Sequence, residues 1–85
     1  MNHALILCRS VTQAQRLGRL LASRGIANRM FRAPVGLTDR GCSYAIRLRE
    51  ETLADALLLM KQHGIRPMEV LRQNWDDSYD EVAWQ

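Results

Sequence analysis

The sequence predicts an α+β two-layer sandwich of ferredoxin-like βαββαβ order, with a four-stranded antiparallel sheet and both helices on one face. Three observations lead there. Apolar residues are patterned as strand, helix, strand, strand, helix, strand over residues 1–71; each helical pattern closes on Gly-Ile (Gly25-Ile26, Gly64-Ile65) and passes at once into an extended stretch; and 85 residues without an internal linker make one domain. The repeated ending is the internal echo expected of a split β-α-β pair.

Ala4-Leu5-Ile6-Leu7-Cys8 is a short continuous apolar run, which in so short a chain reads as a central strand. Ser10 follows as a helix N-cap, with Gln13 three residues on in a capping-box arrangement. Val11, Ala14, Leu17, Gly18, Leu21 and Ala22 recur at three and four residues as the buried stripe, and Gly25 supplies a left-handed end. Ile26 to Arg32 reads as an edge strand, because Arg29 and Arg32 lie in it and Pro34 stops it. Tyr44, Ile46 and Leu48 then alternate with Ser43, Ala45 and Arg47, the period of a strand with one buried face. Thr52 with Asp55 opens a second helix with Leu53, Ala56, Leu57 and Met60 inward, and Gly64 closes it. Ile65 to Leu71 is the last strand, delayed or pushed to an edge by Pro67.

Residues 72–85 read as a separate acidic tail carrying Trp75 and Trp84. The chain's formal charge of +3 hides a division, since residues 1–71 are strongly basic through arginine while the tail is acidic. Arginine of this kind suits contacts with anions or carboxylates, or reflects composition alone. Leu5 and Leu7 alternate with Ala4 and Ile6, so both faces of the first strand are apolar. Either the tail or a second copy must then cover the helix-free face, which makes a homodimer through that face one expectation.

No apolar run reaches the length of a membrane span and the N-terminus lacks the pattern of a signal peptide, so a cytoplasmic protein without membrane attachment is expected. Two cysteines are too few for a disulfide scaffold and their spacing fits no zinc site. The chain shows no phosphate-cradling glycine loop and no Ser/His/Asp set, and His3 and His63 have no nearby carboxylate in sequence. No metal or cofactor is expected.

That leaves the thiols. Cys42 ends the irregular stretch Arg32 to Gly41 and opens the apolar run at Tyr44, between a Gly/Pro-punctuated loop and a strand. In the predicted topology the first and third strands are antiparallel neighbours, so Cys8, Cys42 and the start of the first helix at Ser10 share one end of the sheet. Free backbone N–H groups, the helix dipole and the charges of Arg9 and Arg40 would all favour thiolate over thiol there, with Gly41 admitting a close approach. The same parity permits another reading, in which Cys42 is a small apolar filler beside Tyr44 and Ile46. Cys8, inside an apolar strand, reads as core; facing Cys42, it would be a resolving thiol.

The residues Cys8-Arg9-Ser10, Gly25-Ile26, Arg32-Ala33-Pro34, Gly41-Cys42, Ala45-Ile46-Arg47 and Gly64-Ile65 together resemble a small bacterial family, the Se/S carrier protein-like proteins, over about residues 4–71. Cys42 matches the family cysteine, Pro34 its proline, and Ser10 the residue that starts the first helix; the chain departs at Ser43, where members carry Gly. The resemblance implies that Cys42 accepts sulfur or selenium as a persulfide or selenosulfide from a donor protein and hands it to an acceptor enzyme. Under it, Arg9, Ser10, Arg40 and Gly41 stabilise the loaded anion, and the chain is a carrier rather than an enzyme. Two other readings compete. One is a ligand-binding or regulatory module without a covalent step. The other is RNA binding, against which the central strands argue by offering only Tyr44 as an aromatic, on the core parity.

Overall fold

The structure, a computed structural model, describes residues 2–33 and 44–84. In chain order it contains β1 (His3–Cys8), α1 (Val11–Ser23), β2 (Asn28–Arg32), β3 (Tyr44–Arg49), a 3₁₀ turn (Glu50–Thr52), α2 (Leu53–Gln62), β4 (Glu69–Gln73) and β5 (Tyr79–Glu81). The sheet has five strands in the order β2-β3-β1-β4-β5, and every neighbouring pair is antiparallel. Four of them reproduce the expected topology, with β1 and β3 as central neighbours and β2 at an edge. The fifth corrects it. Residues 79–81, which read as part of an acidic tail, pair with β4, so the order is βαββαββ rather than a four-stranded ferredoxin-like sheet.

A tight turn explains how so acidic a segment folds back. Asp76 accepts from the backbone N–H of Ser78 at 3.1 Å and from its hydroxyl at 2.6 Å, Asp77 takes a left-handed φ of 67°, and Asn74 donates to Ser78 Oγ and Asp80 Oδ2, each at 3.0 Å. Asp and Asn are the non-glycine residues best suited to such a turn, because their short side chains bond to nearby backbone. The Ser78 bonds also hold the Asp76 carboxyl below the usual carboxylate range. Beyond β5, the Val82 N–H donates to Val70 O at 2.8 Å and continues the pairing.

Both helices cover one face of the sheet. Ala4, Ile6 and Cys8 of β1, Ile46 and Leu48 of β3 and Val70 of β4 pack there against Ala14, Leu17 and Leu21 of α1 and Leu53, Ala56 and Met60 of α2. Each large member of such a core contributes about 1.5–3 kcal/mol by leaving water. Two of the residues assigned to the α1 stripe, Val11 and Ala22, lie on its exposed side instead. Glycine ends both helices as expected, with φ of +76° at Gly25 and +69° at Gly64. The start of α2 differs from the capping box read there. Thr52 caps nothing with its side chain; its hydroxyl donates to Arg49 O at 2.8 Å and closes the 3₁₀ turn through which the chain enters the helix.

On the opposite face Leu5, Leu7, Ala45 and Leu71 form a second cluster with Ala33, flanked by Phe31 and Met68. Leu5 and Leu7 are only 1% and 0% exposed in the single chain, so their burial does not require a second copy. Nor does the C-terminal segment cover them. Its Val82 and Trp84 pack against the helix-side cluster, and Trp75 stands in solvent at 84% exposure.

Candidate functional site

Cys8 pairs directly with Tyr44, so β1 leaves the sheet toward α1 at the end where β3 enters it. Tyr44 follows Cys42 by two residues in the chain. Cys42 itself, with Arg40 and Gly41, lies outside the described residues. What the structure describes at this end is therefore Cys8, Arg9, Ser10, the first turn of α1, Arg32 at the end of β2 and Ala33 after it, Tyr44 opposite Arg32, and the segment after α2.

Ser10 is the N-cap of α1, as the sequence indicates: its backbone is extended and its Oγ accepts from the Gln13 N–H at 3.1 Å. Gln13 returns the bond one residue earlier than a capping box requires. Its Oε1 accepts the backbone N–H of Arg9 at 2.8 Å, and its Nε2 donates to Arg66 O at 3.2 Å. One side chain thus ties the start of α1 to the segment that follows α2. Arg9 is exposed beside this cap, and no acidic residue occupies the first turn of α1. The Ser10 Oγ accepts the Gln13 N–H through a lone pair, which leaves its O–H as a donor that, with the helix-start dipole, can serve a nearby anion. Gln13→Ala should remove these side-chain bonds and lower stability by about 1 kcal/mol. A urea melt with unchanged slope and a lower midpoint would register it; an unchanged midpoint would show that water replaces the bonds.

Cys8 is core. It is 0% exposed, its parity places it with Ile6 under the helices, and among the described residues its thiol makes a single long contact, 3.7 Å to Ile6 O. Burial pushes the thiol up to about 12, so at neutral pH it is protonated as well as enclosed. Both properties weigh against the resolving role the sequence allowed it, which requires an accessible thiolate; its would-be partner Cys42 lies outside the described residues.

Two features here were beyond sequence reasoning. Gln13 meets Arg66 across 53 positions of chain. Beside that contact, Leu57, Met60, Ile65, Pro67 and Trp84 line an apolar groove of about 440 Å³, with Lys61 and Arg66 as its cations. The groove needs Trp84 to return along β4, and no periodicity in residues 74–85 announces that return. Among the described residues no group of three His, Cys, Asp or Glu is placed to hold a metal ion, and no helix is long and apolar enough to cross a membrane.

Comparison with known families bears on this end of the sheet. The model of a family described as "Putative Se/S carrier protein-like" matches residues 3–72, from the first residue of β1 to the penultimate residue of β4. The chain belongs to that family. No curated protein and no solved structure matches it. The match takes in Cys42 and every described residue of the candidate site except Trp84.

Proposed function

We propose that this member of the family carries sulfur or selenium on Cys42 as a persulfide or selenosulfide and passes it to an acceptor enzyme. The observation that carries the reading is the family match, which spans Cys42 and the whole end of the sheet around Cys8. The described residues support it chemically. Arg9 is exposed, the uncompensated N-terminus of α1 lies at that end, and β3 begins two residues after Cys42. The exposed arginine and the helix N-terminus each favour an anion on a sulfur held near them, and the start of β3 keeps Cys42 within two residues of this end. Cys8, buried and protonated, leaves Cys42 as the thiol available for exchange.

The transfer needs no resident acid, base or cofactor. The Cys42 thiolate attacks the terminal sulfur of a persulfide on the donor; the donor's S–S bond breaks, the donor leaves as a thiolate, and the new S–S bond forms on Cys42. The same exchange with an acceptor thiolate releases the cargo without net oxidation, and a selenosulfide follows the same course. Intact mass spectrometry after incubation with a cysteine desulfurase and cysteine tests this. One added sulfur on the wild type and none on Cys42→Ser is expected; equal addition to both, or to neither, would overturn the assignment.

The apolar groove with Lys61 and Arg66 favours a second reading, a module that binds an apolar anion without covalent chemistry. Under that reading Cys42→Ser would retain full function.

A further inference from the structure

We propose that the corner of the helix-free sheet face formed by Arg29, Arg47, Arg49 and His3 is a binding site for the phosphate-type dianion of a small soluble molecule. The register puts these residues together. Arg29 stands directly opposite Arg47, Arg47 opposite Leu5, and Arg49 opposite His3. Leu5 belongs to the helix-free cluster, so strand alternation sends Arg29, Arg47, Arg49 and His3 to that face. A shallow depression of about 290 Å³ at this corner is lined by His3, Arg29, Arg47 and Arg49, with Asn28 and Leu48, which belong to the helix side of the sheet, also reaching it. This corner lies at the far end of β1 from Cys8, about 17 Å away along the strand, and owes nothing to the carrier reading.

Its charges are arranged at a cost to the fold. Like charges directly opposite in an antiparallel pair destabilise the sheet. Glu51 reaches Arg49 at 3.5 Å, but Arg29 has no partner among the described residues and Arg47 contacts His3 rather than a carboxylate. Three guanidinium groups, with the amino terminus also acting on His3, outnumber the one carboxylate, Glu51, and leave an excess of positive charge suited to a multiply charged anion. Guanidinium forks match a tetrahedral oxyanion through paired N–H donors, which a chloride or a lone carboxylate uses less fully.

His3 completes the donor set. Arg47 Nη2 lies 3.2 Å from His3 Nδ1, and a guanidinium can only donate, so Nδ1 is the acceptor and the neutral ring carries its proton on Nε2. Burial first, then the positive charges of Arg47, the amino terminus and Arg49, hold His3 below its ordinary range and keep it in that neutral form. On this face the two central strands, where sheet-based readers stack bases, present His3, Leu5, Leu7, Ala45, Arg47 and Arg49 and no aromatic; Phe31 of β2 and Tyr79 of β5 share the face on other strands, Phe31 packed against the apolar cluster. The donors meet in one small depression rather than along a strand-long track, which suits a small phosphate compound better than a nucleic acid.

An NMR titration of the full chain with inorganic phosphate, at ionic strength held constant with chloride, tests the proposal. Saturable shifts are expected at His3, Arg29 and Arg47, with the His3 pKa rising on saturation because the bound dianion offsets the arginines. The double variant Arg29→Gln/Arg47→Gln should weaken binding at least tenfold, whereas Arg16→Gln, on the exposed side of α1, should leave it unchanged. The double variant should also melt no lower than the wild type, since it relieves the opposed charges. Non-saturating shifts, unchanged affinity in the double variant, or a lower melting temperature would each overturn the proposal. So would saturable binding seen only with single-stranded RNA or with anionic phospholipid vesicles.

Discussion

Between pH 9 and 12 the folded state is expected to lose up to about 4 kcal/mol through Cys8 alone. The thiol ionises near 9 when exposed in the unfolded chain, but burial holds it protonated in the fold up to about 12. Below pH 9 both states bind this proton and its contribution is constant. Above 9 the unfolded chain releases it and the folded chain does not, so unfolding is favoured by about 1.4 kcal/mol per pH unit until the folded thiol itself titrates. Cys8→Ala isolates the cysteine's contribution. Denaturant melts at several pH values between 8 and 11 should show a steeper decline for the wild type than for the variant. Parallel declines would mean that Cys8 ionises without unfolding, and its enclosure would be wrong.

Ile6→Ala should cost about 2–5 kcal/mol at neutral pH. Ile6 is 0% exposed and stands between its cross-strand partners Ile46 and Val70, themselves 0% exposed, beneath both helices. The site is bounded on one side by sheet backbone, which cannot collapse into the lost volume, so the value should lie in the upper part of that range. A domain of this size has a total stability on the order of 5–15 kcal/mol. The variant should therefore melt well below the wild type, as a calorimetric or circular-dichroism melt would show. A loss under about 1 kcal/mol would mean that the core repacks freely.

The sequence carried most of what determines the layers. Continuous apolar patterning in β1, alternation in β3 and the glycine ends of both helices are local signals, and each appears where local physics puts it. The departures have local causes too. Thr52 has a capping residue's chemistry, but its hydroxyl finds Arg49 O and folds into a 3₁₀ turn instead. Val11 and Ala22 have the right spacing, yet the buried stripe of α1 is narrower than that spacing allows and consists of Ala14, Leu17 and Leu21. β5 was hidden because Tyr79-Asp80-Glu81 lacks the apolar alternation of a strand. All three residues are exposed, and what holds them is backbone pairing with β4 and an Asx-type turn. The site is legible in part. Ser10 as N-cap and Cys8 as core follow from the residues themselves, whereas the Gln13–Arg66 bond and the Trp84 groove depend on contacts distant in sequence. Arg40, Gly41 and Cys42 lie outside the described residues, and their role rests on the family and the proposed experiment.

The fifth strand has a practical consequence for anyone who isolates this domain. The family match stops at residue 72, one residue short of the end of β4, while β5 and Val82 satisfy the outer hydrogen-bonding edge of that strand. A chain trimmed to the matched boundary would expose this edge, with Val70 and Leu71 on it, and would remove Trp84 from the flank of α2. An uncovered apolar edge recruits other strands. The last dozen residues thus work as a guard rail for the sheet, and oligomers of the shortened chain would be an artefact of the cut.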